Sequence, residues 1–103
     1  MRLHCRIKKQ YLDMITRGSK TTEYRDMSEY WCGKILDLEH YGKVELIDLI
    51  DDLVEGRKEL KTKPYDEIQF YCGEQRPVYQ IKDIKIYKGH KIFAIKLGKR
   101  IRA

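Results

Sequence analysis

A glycine turn that delivers three ionisable side chains onto one short strand constrains this chain more than any other feature. The stretch is Gly18-Ser19-Lys20-Thr21-Thr22-Glu23-Tyr24-Arg25-Asp26. Before it, Lys9 to Arg17 predicts a short helix with Tyr11, Leu12 and Ile15 on one face. Gly18 falls where a helix C′ residue takes positive φ, which glycine does without a Cβ clash. Thr21 to Arg25 is rich in strand formers, and the two-residue period sends Thr21, Glu23 and Arg25 to one face. Thr22 and Tyr24 go to the other, which places Tyr24 in the core. Lys20 sits in the turn, with its ammonium in reach of Glu23 and Arg25. Two readings follow: a compact polar site, or a solvated edge strand whose exposed ion pair stabilises little.

The rest of the chain reads as short elements in sequence. Leu3 to Ile7 alternates as a half-buried strand. Asp26 or Ser28 starts a helix that carries Tyr30, Trp31, Ile35 and Leu38 inward, with Trp31 as core, across Gly33. Lys43 to Glu55 is the strongest helical pattern: Leu46, Leu49, Ile50 and Leu53 form a stripe, and Asp48, Asp51, Asp52 and Glu55 cover the other side. Asp51 and Asp52 diverge by about 100° around a helix, so they are surface charge rather than an acid pair. Gly56 stops this helix, Arg57 to Lys63 is a polar connector, and Pro64 closes it. Glu67 to Cys72 is a strand, and Gly73 to Pro77 a turn. Val78 to Tyr87 is a strand with a bulge near Lys82-Asp83, Lys88 to Lys91 a hairpin turn, and Ile92 to Ile101 the last strand.

The order β-α-β-α-α-β-β-β has too few βαβ units for a doubly wound sheet. It predicts an α+β fold: a small mixed, mostly antiparallel β-barrel with flanking helices. Leu3, Cys5, Ile7, Ile68, Phe70, Ile84, Ile92 and Ala94 are the expected core. At 103 residues the chain is expected to form a single domain, 1–103.

Charge is unevenly spread over a net +6. From Val78 to Ala103 there are eight Lys or Arg against Asp83 alone, whereas Asp37 to Glu67 is acidic. A basic face for a polyanion is one reading, with Lys96 and Lys99 as phosphate contacts; solubility is the other. Cys5, Cys32 and Cys72 are odd in number and widely spaced, which is neither a disulfide framework nor a CxxC zinc pattern. A reducing cytoplasm, no metal and no cofactor are expected. No apolar run approaches the roughly 20 residues that cross a bilayer, and the first residues lack the apolar segment of a secretory signal.

Gly18-x-Lys20-x-x-Glu23-x-Arg25, with its preceding helix and strand, resembles the signature of the ASCH domain, a family of the PUA-like β-barrel superfamily. The likeness extends over nearly the whole chain. It implies a cleft into which Lys20, Glu23 and Arg25 point, with RNA or a nucleotide-like ligand as partner. Arg25 can fork two hydrogen bonds onto a phosphate or carbonyl edge, and Glu23 can accept from base amino groups. Tyr71 or Tyr79 would stack an unpaired base.

Some members of that family are hydrolases, including an amidohydrolase of acylated cytidine. They resemble this chain at Lys20, Thr21, Arg25 and Asp26. Their nucleophilic threonine falls at the position of Glu23, and Thr22 is one place off. Glu74 is a candidate for their downstream glutamate. A hydrolase acting on RNA or a modified nucleoside, with Lys20 and Glu23 as proton carriers, is therefore the alternative to an RNA-binding module. A protein-interaction domain using the acidic helix is a third.

Overall fold

A computed structural model describes residues 1–87 and 89–102; Lys88, the first residue of the expected hairpin turn, lies outside them. The elements are β1 (Arg2–Arg6), α1 (Lys9–Thr16), β2 (Thr22–Asp26), α2 (Glu29–Ile35), α3 (Leu38–Tyr41), α4 (Leu46–Val54), β3 (Glu67–Tyr71), β4 (Val78–Ile86) and β5 (Ile92–Arg102). The sequence order is thus the expected one with a single added turn of helix, α3. The strands form one five-stranded sheet in the order β1-β3-β4-β5-β2.

The sheet is mixed and mostly antiparallel. β1 runs parallel to β3, pairing Leu3 with Ile68 and Cys5 with Phe70. β3 runs antiparallel to β4, pairing Ile68 with Tyr79. β2 is antiparallel to β5, because Leu97 N–H donates to Thr21 O and Met27 N–H to Lys91 O. No helix among the described residues is long and apolar enough to cross a membrane.

The chain divides into two compact units. The first comprises Met1–Glu23, Pro64–Asp83 and Ile95–Ala103. Its core holds Leu3, Cys5, Leu12, Ile15, Ile68, Phe70, Val78, Tyr79, Ile95 and Leu97. Tyr79 meets Phe70 edge to face at 5.9 Å, so it is core and not a surface for an unpaired base. The second unit comprises Tyr24–Lys63 and Ile84–Ala94, with Met27, Cys32, Ile35, Leu36, Leu49, Leu53 and Phe93 buried. Its connector from Arg57 to Lys63 is held by the Tyr41 hydroxyl, which donates to Glu59 O at 2.7 Å and accepts from Lys61 N–H at 2.6 Å.

Several side chains face otherwise than the sequence predicts. In β5 the buried set is Phe93, Ile95 and Leu97, and Ile92 and Ala94 are only half-buried. The strand offers an apolar side chain at both parities, and the set with the larger apolar area takes the interior. Ile7, just beyond β1, and Ile84 are half-buried as well. In α2 the buried residues are Cys32 and Ile35, while Tyr30 is 61% exposed and Trp31 half-buried. Leu38 falls in the separate turn α3 and is exposed. The helix breaks before the 3.6-residue period could bring it round. In β4 Val78 and Tyr79 are buried, Ile81 is half-buried two residues on, and Ile84 and Ile86 are half-buried beyond the exposed Lys82-Asp83 pair. The alternation therefore changes phase at Lys82-Asp83, where the bulge was expected.

Candidate functional site

The polar turn is built by the end of α1. Gly18 has φ +81°. Its N–H donates to Ile15 O and the Ser19 N–H to Met14 O, each at 3.0 Å. These two bonds are a Schellman motif, which satisfies the carbonyls that a helix end otherwise leaves open. Lys20 N–H also donates to Met14 O, at 3.2 Å, so the turn fixes the backbone on which the lysine stands.

From there the Lys20 ammonium donates to Thr22 O at 2.7 Å and lies 3.2 Å from Glu23 Oε1. The Tyr11 ring centroid is 5.9 Å from the same nitrogen. Only 15% of the Lys20 side chain and 7% of the Glu23 side chain are exposed. Glu23 is the one charged residue in the buried class among the described residues. The exposed-ion-pair reading of this stretch is therefore excluded for Lys20 and Glu23. β2 lies at the edge of the sheet, yet it turns its ionisable face inward and leaves Tyr24 46% exposed. The two-residue period is as expected; the assumption that the aromatic face is the buried one is what fails. Tyr24 packs instead edge to face with Tyr87, at 5.7 Å.

The remaining expected residues sit as follows. Thr21 is exposed, and its carbonyl pairs with β5. Arg25, in the second unit, is half-buried with its guanidinium 5.3 Å from the Trp31 ring centroid. Lys34 approaches the same ring at 5.9 Å and Tyr30 at 5.5 Å, forming a cation–aromatic cluster. Tyr71, in the first unit, is half-buried. Its hydroxyl lies 3.2 Å from Gln69 Oε1 and shares a 2.7 Å hydrogen bond with His4 Nδ1. The Arg76 guanidinium lies over the Tyr71 ring at 4.7 Å. Lys96 and Lys99 are exposed on β5. Thus the structure brings Lys20 and Glu23 together, and Tyr71 has a different set of neighbours: His4, Gln69 and Arg76.

Two arrangements had no signal in the sequence. One is the Tyr11 ring beside Lys20. The other is a cleft of about 370 Å³ between α1, the turn after β3 and the end of β5, with Glu74, Arg76 and Arg100 at its rim. Charges at Asp13, Glu74 and Arg100 are distant in sequence, and only the fold assembles them. Among the described residues, no group of three or more His, Cys, Asp or Glu is arranged to hold a metal ion. Neither a comparison with protein-family models nor one with curated proteins gives a match.

Proposed function

We propose that this chain is an ASCH-type module that binds RNA or a nucleotide-like ligand through the Lys20–Glu23 site. The observation that carries the reading is the withdrawal of that ion pair from water on an edge strand. Desolvating a lysine and a glutamate costs about as much as their attraction returns, and an apolar pair of similar volume serves stability as well or better. A buried pair in such a place is better explained by ligand chemistry: a carboxylate that accepts from base amino groups and an ammonium that meets a phosphate or carbonyl oxygen.

Three features support the family assignment and the partner. Gly18, Lys20, Glu23 and Arg25 stand at the spacing of the signature, and Gly18 performs the turn that the spacing needs. The mixed, mostly antiparallel α+β architecture is the class to which PUA-like barrels belong. Lys96 and Lys99 form no ion pair among the described residues and offer phosphates an approach along β5. A cytoplasmic setting fits three free cysteines.

The test is fluorescence anisotropy with single-stranded RNA at low salt, with product analysis on the same samples. The expected result is binding by the parent that weakens in Glu23→Gln and Lys20→Met, both still folded by circular dichroism. Equal binding by both variants would remove the site. Shortened RNA, or acid released from an acylated nucleoside, would assign the hydrolase reading instead.

A further inference from the structure

The cleft in the first unit has a composition that the Lys20–Glu23 reading does not use. Its floor is Leu12 and Pro77, both buried, and its rim carries Asp13, Glu74, Arg76 and Arg100. Asp13 forms an exposed ion pair with Lys9, 3.1 Å away. Arg76 donates to the carbonyls of Gly73 and Gln75, and Arg100 Nε to the carbonyl of Arg102. Neither guanidinium has a carboxylate in ion-pairing distance among the described residues, and Glu74 has no cation there. Two arginines at one cleft therefore keep their charge available, and the Glu74 carboxylate lines the same cleft.

Arg76 is also held in place. Two backbone carbonyls and the Tyr71 ring fix its guanidinium, so little side-chain entropy is left to lose on binding. Guanidinium groups recognise phosphate oxygens by parallel, charge-assisted hydrogen bonds. An apolar floor suits the carbon skeleton to which the phosphate is attached, and Glu74 suits a hydroxyl or amino donor on it. The volume lies in the range of small-ligand clefts.

We infer that this cleft binds a phosphate monoester on a sugar-sized body, gripped by Arg76 and Arg100 over Leu12 and Pro77. The group could come from a free mononucleotide or from the 5′-phosphorylated end of an RNA chain. The inference stands apart from the Lys20–Glu23 reading, since neither of those residues lines the cleft.

Isothermal titration with adenosine 5′-monophosphate, ribose 5-phosphate and adenosine tests it. A pair of RNA decamers, one with a 5′-phosphate and one with a 5′-hydroxyl, separates the two sources. The phosphorylated compounds are expected to bind and adenosine is not. Arg100→Gln, on an exposed position, should weaken phosphate binding roughly tenfold or more with an unchanged melting curve. Arg76→Gln should do the same, and Arg100→Gln keeps the test valid if that variant disturbs the turn. Tighter binding of the 5′-phosphorylated decamer than of its 5′-hydroxyl twin assigns the chain end; equal binding of the two decamers with binding of adenosine 5′-monophosphate assigns the free nucleotide. Phosphorylated probes that bind no better than adenosine, or an Arg100→Gln protein that binds like the parent, overturn the inference and leave the Lys20–Glu23 reading standing.

Discussion

The Lys20 ammonium lies 3.2 Å from Glu23 Oε1, and both side chains are largely withdrawn from solvent. The coupling between them is measurable apart from any ligand. Lys20→Met strips a cation from a buried carboxylate and should destabilise the fold by about 1.5–3 kcal/mol, the range for hydrogen bonds to charged groups. Lys20→Met combined with Glu23→Leu removes both charges and should recover much of that loss. A double-mutant cycle by urea denaturation reads the coupling directly. Additive losses would show that the pair is not energetically linked.

The turn that positions Lys20 depends on Gly18. Its φ of +81° is in the left-handed region, and a Cβ there would meet nothing within 4 Å. The penalty of Gly18→Ala is therefore conformational, with no clash to add, and should be about 1–2 kcal/mol. Gly18→Asn should cost less, because asparagine tolerates that region better than alanine. Thermal melting of the two variants checks the order.

Gly33 and Gly98 predict opposite signs for the same substitution. Gly33 is inside α2, with a normal helical conformation and open space around its Cα. Gly33→Ala should stabilise by about 0.5–1 kcal/mol, because alanine has less unfolded-state freedom to lose. At Gly98, on β5, a Cβ would lie 3.1 Å from Gln80 Cβ and 3.3 Å from Lys82 Cγ. Gly98→Ala should destabilise by about 1 kcal/mol through that overpacking. Denaturation midpoints of both variants test the contrast.

Burial pushes the Cys32 thiol up to about 11 from an ordinary value of 9.0. Between those values the unfolded chain releases this proton and the native chain keeps it, so stability falls as pH rises. The contribution is complete below about pH 9 and is lost through about pH 11, on the order of 2 kcal/mol. Burial raises Tyr41 and Tyr65 in the same direction, so some alkaline slope persists without the cysteine. Cys32→Ala should flatten the fall in urea-derived stability from pH 8 to pH 11, about 2 kcal/mol of it at most. An unchanged slope would place the alkaline loss on the tyrosines alone.

What could be read in the sequence was local. Gly18 and Gly56 marked real helix ends, because a Schellman turn needs only a glycine at the right offset. Ser28, one of two expected caps, accepts the Trp31 N–H at 3.2 Å. The strand segments were legible from apolar runs between turn residues. What failed was the choice of face: at Ile92 against Phe93 both faces offer an apolar side chain, and at Tyr24 against Glu23 the charged face is buried instead of the aromatic one. That choice belongs to the packed neighbours, which one strand's sequence does not contain. The rim of the cleft in the first unit was illegible for the same reason: Asp13, Arg76 and Arg100 come to one cleft only through tertiary structure.

Lys96 and Lys99 are exposed on β5 and form no ion pair among the described residues, so each is available to a polyanion. If RNA phosphates lie along β5, each neutralised phosphate releases condensed counterions. The logarithm of affinity should then fall linearly with the logarithm of salt, by about 0.7 per contact for a single strand. Lys96→Glu with Lys99→Glu should weaken binding across unrelated RNA sequences and flatten that slope by roughly 1.4, the share of two contacts. Both lysines are solvated, so the melting temperature should stay near that of the parent. Fluorescence anisotropy from low to physiological salt reads both quantities. A parent-like slope in the double variant would assign these lysines to solubility and remove β5 from the path of the RNA.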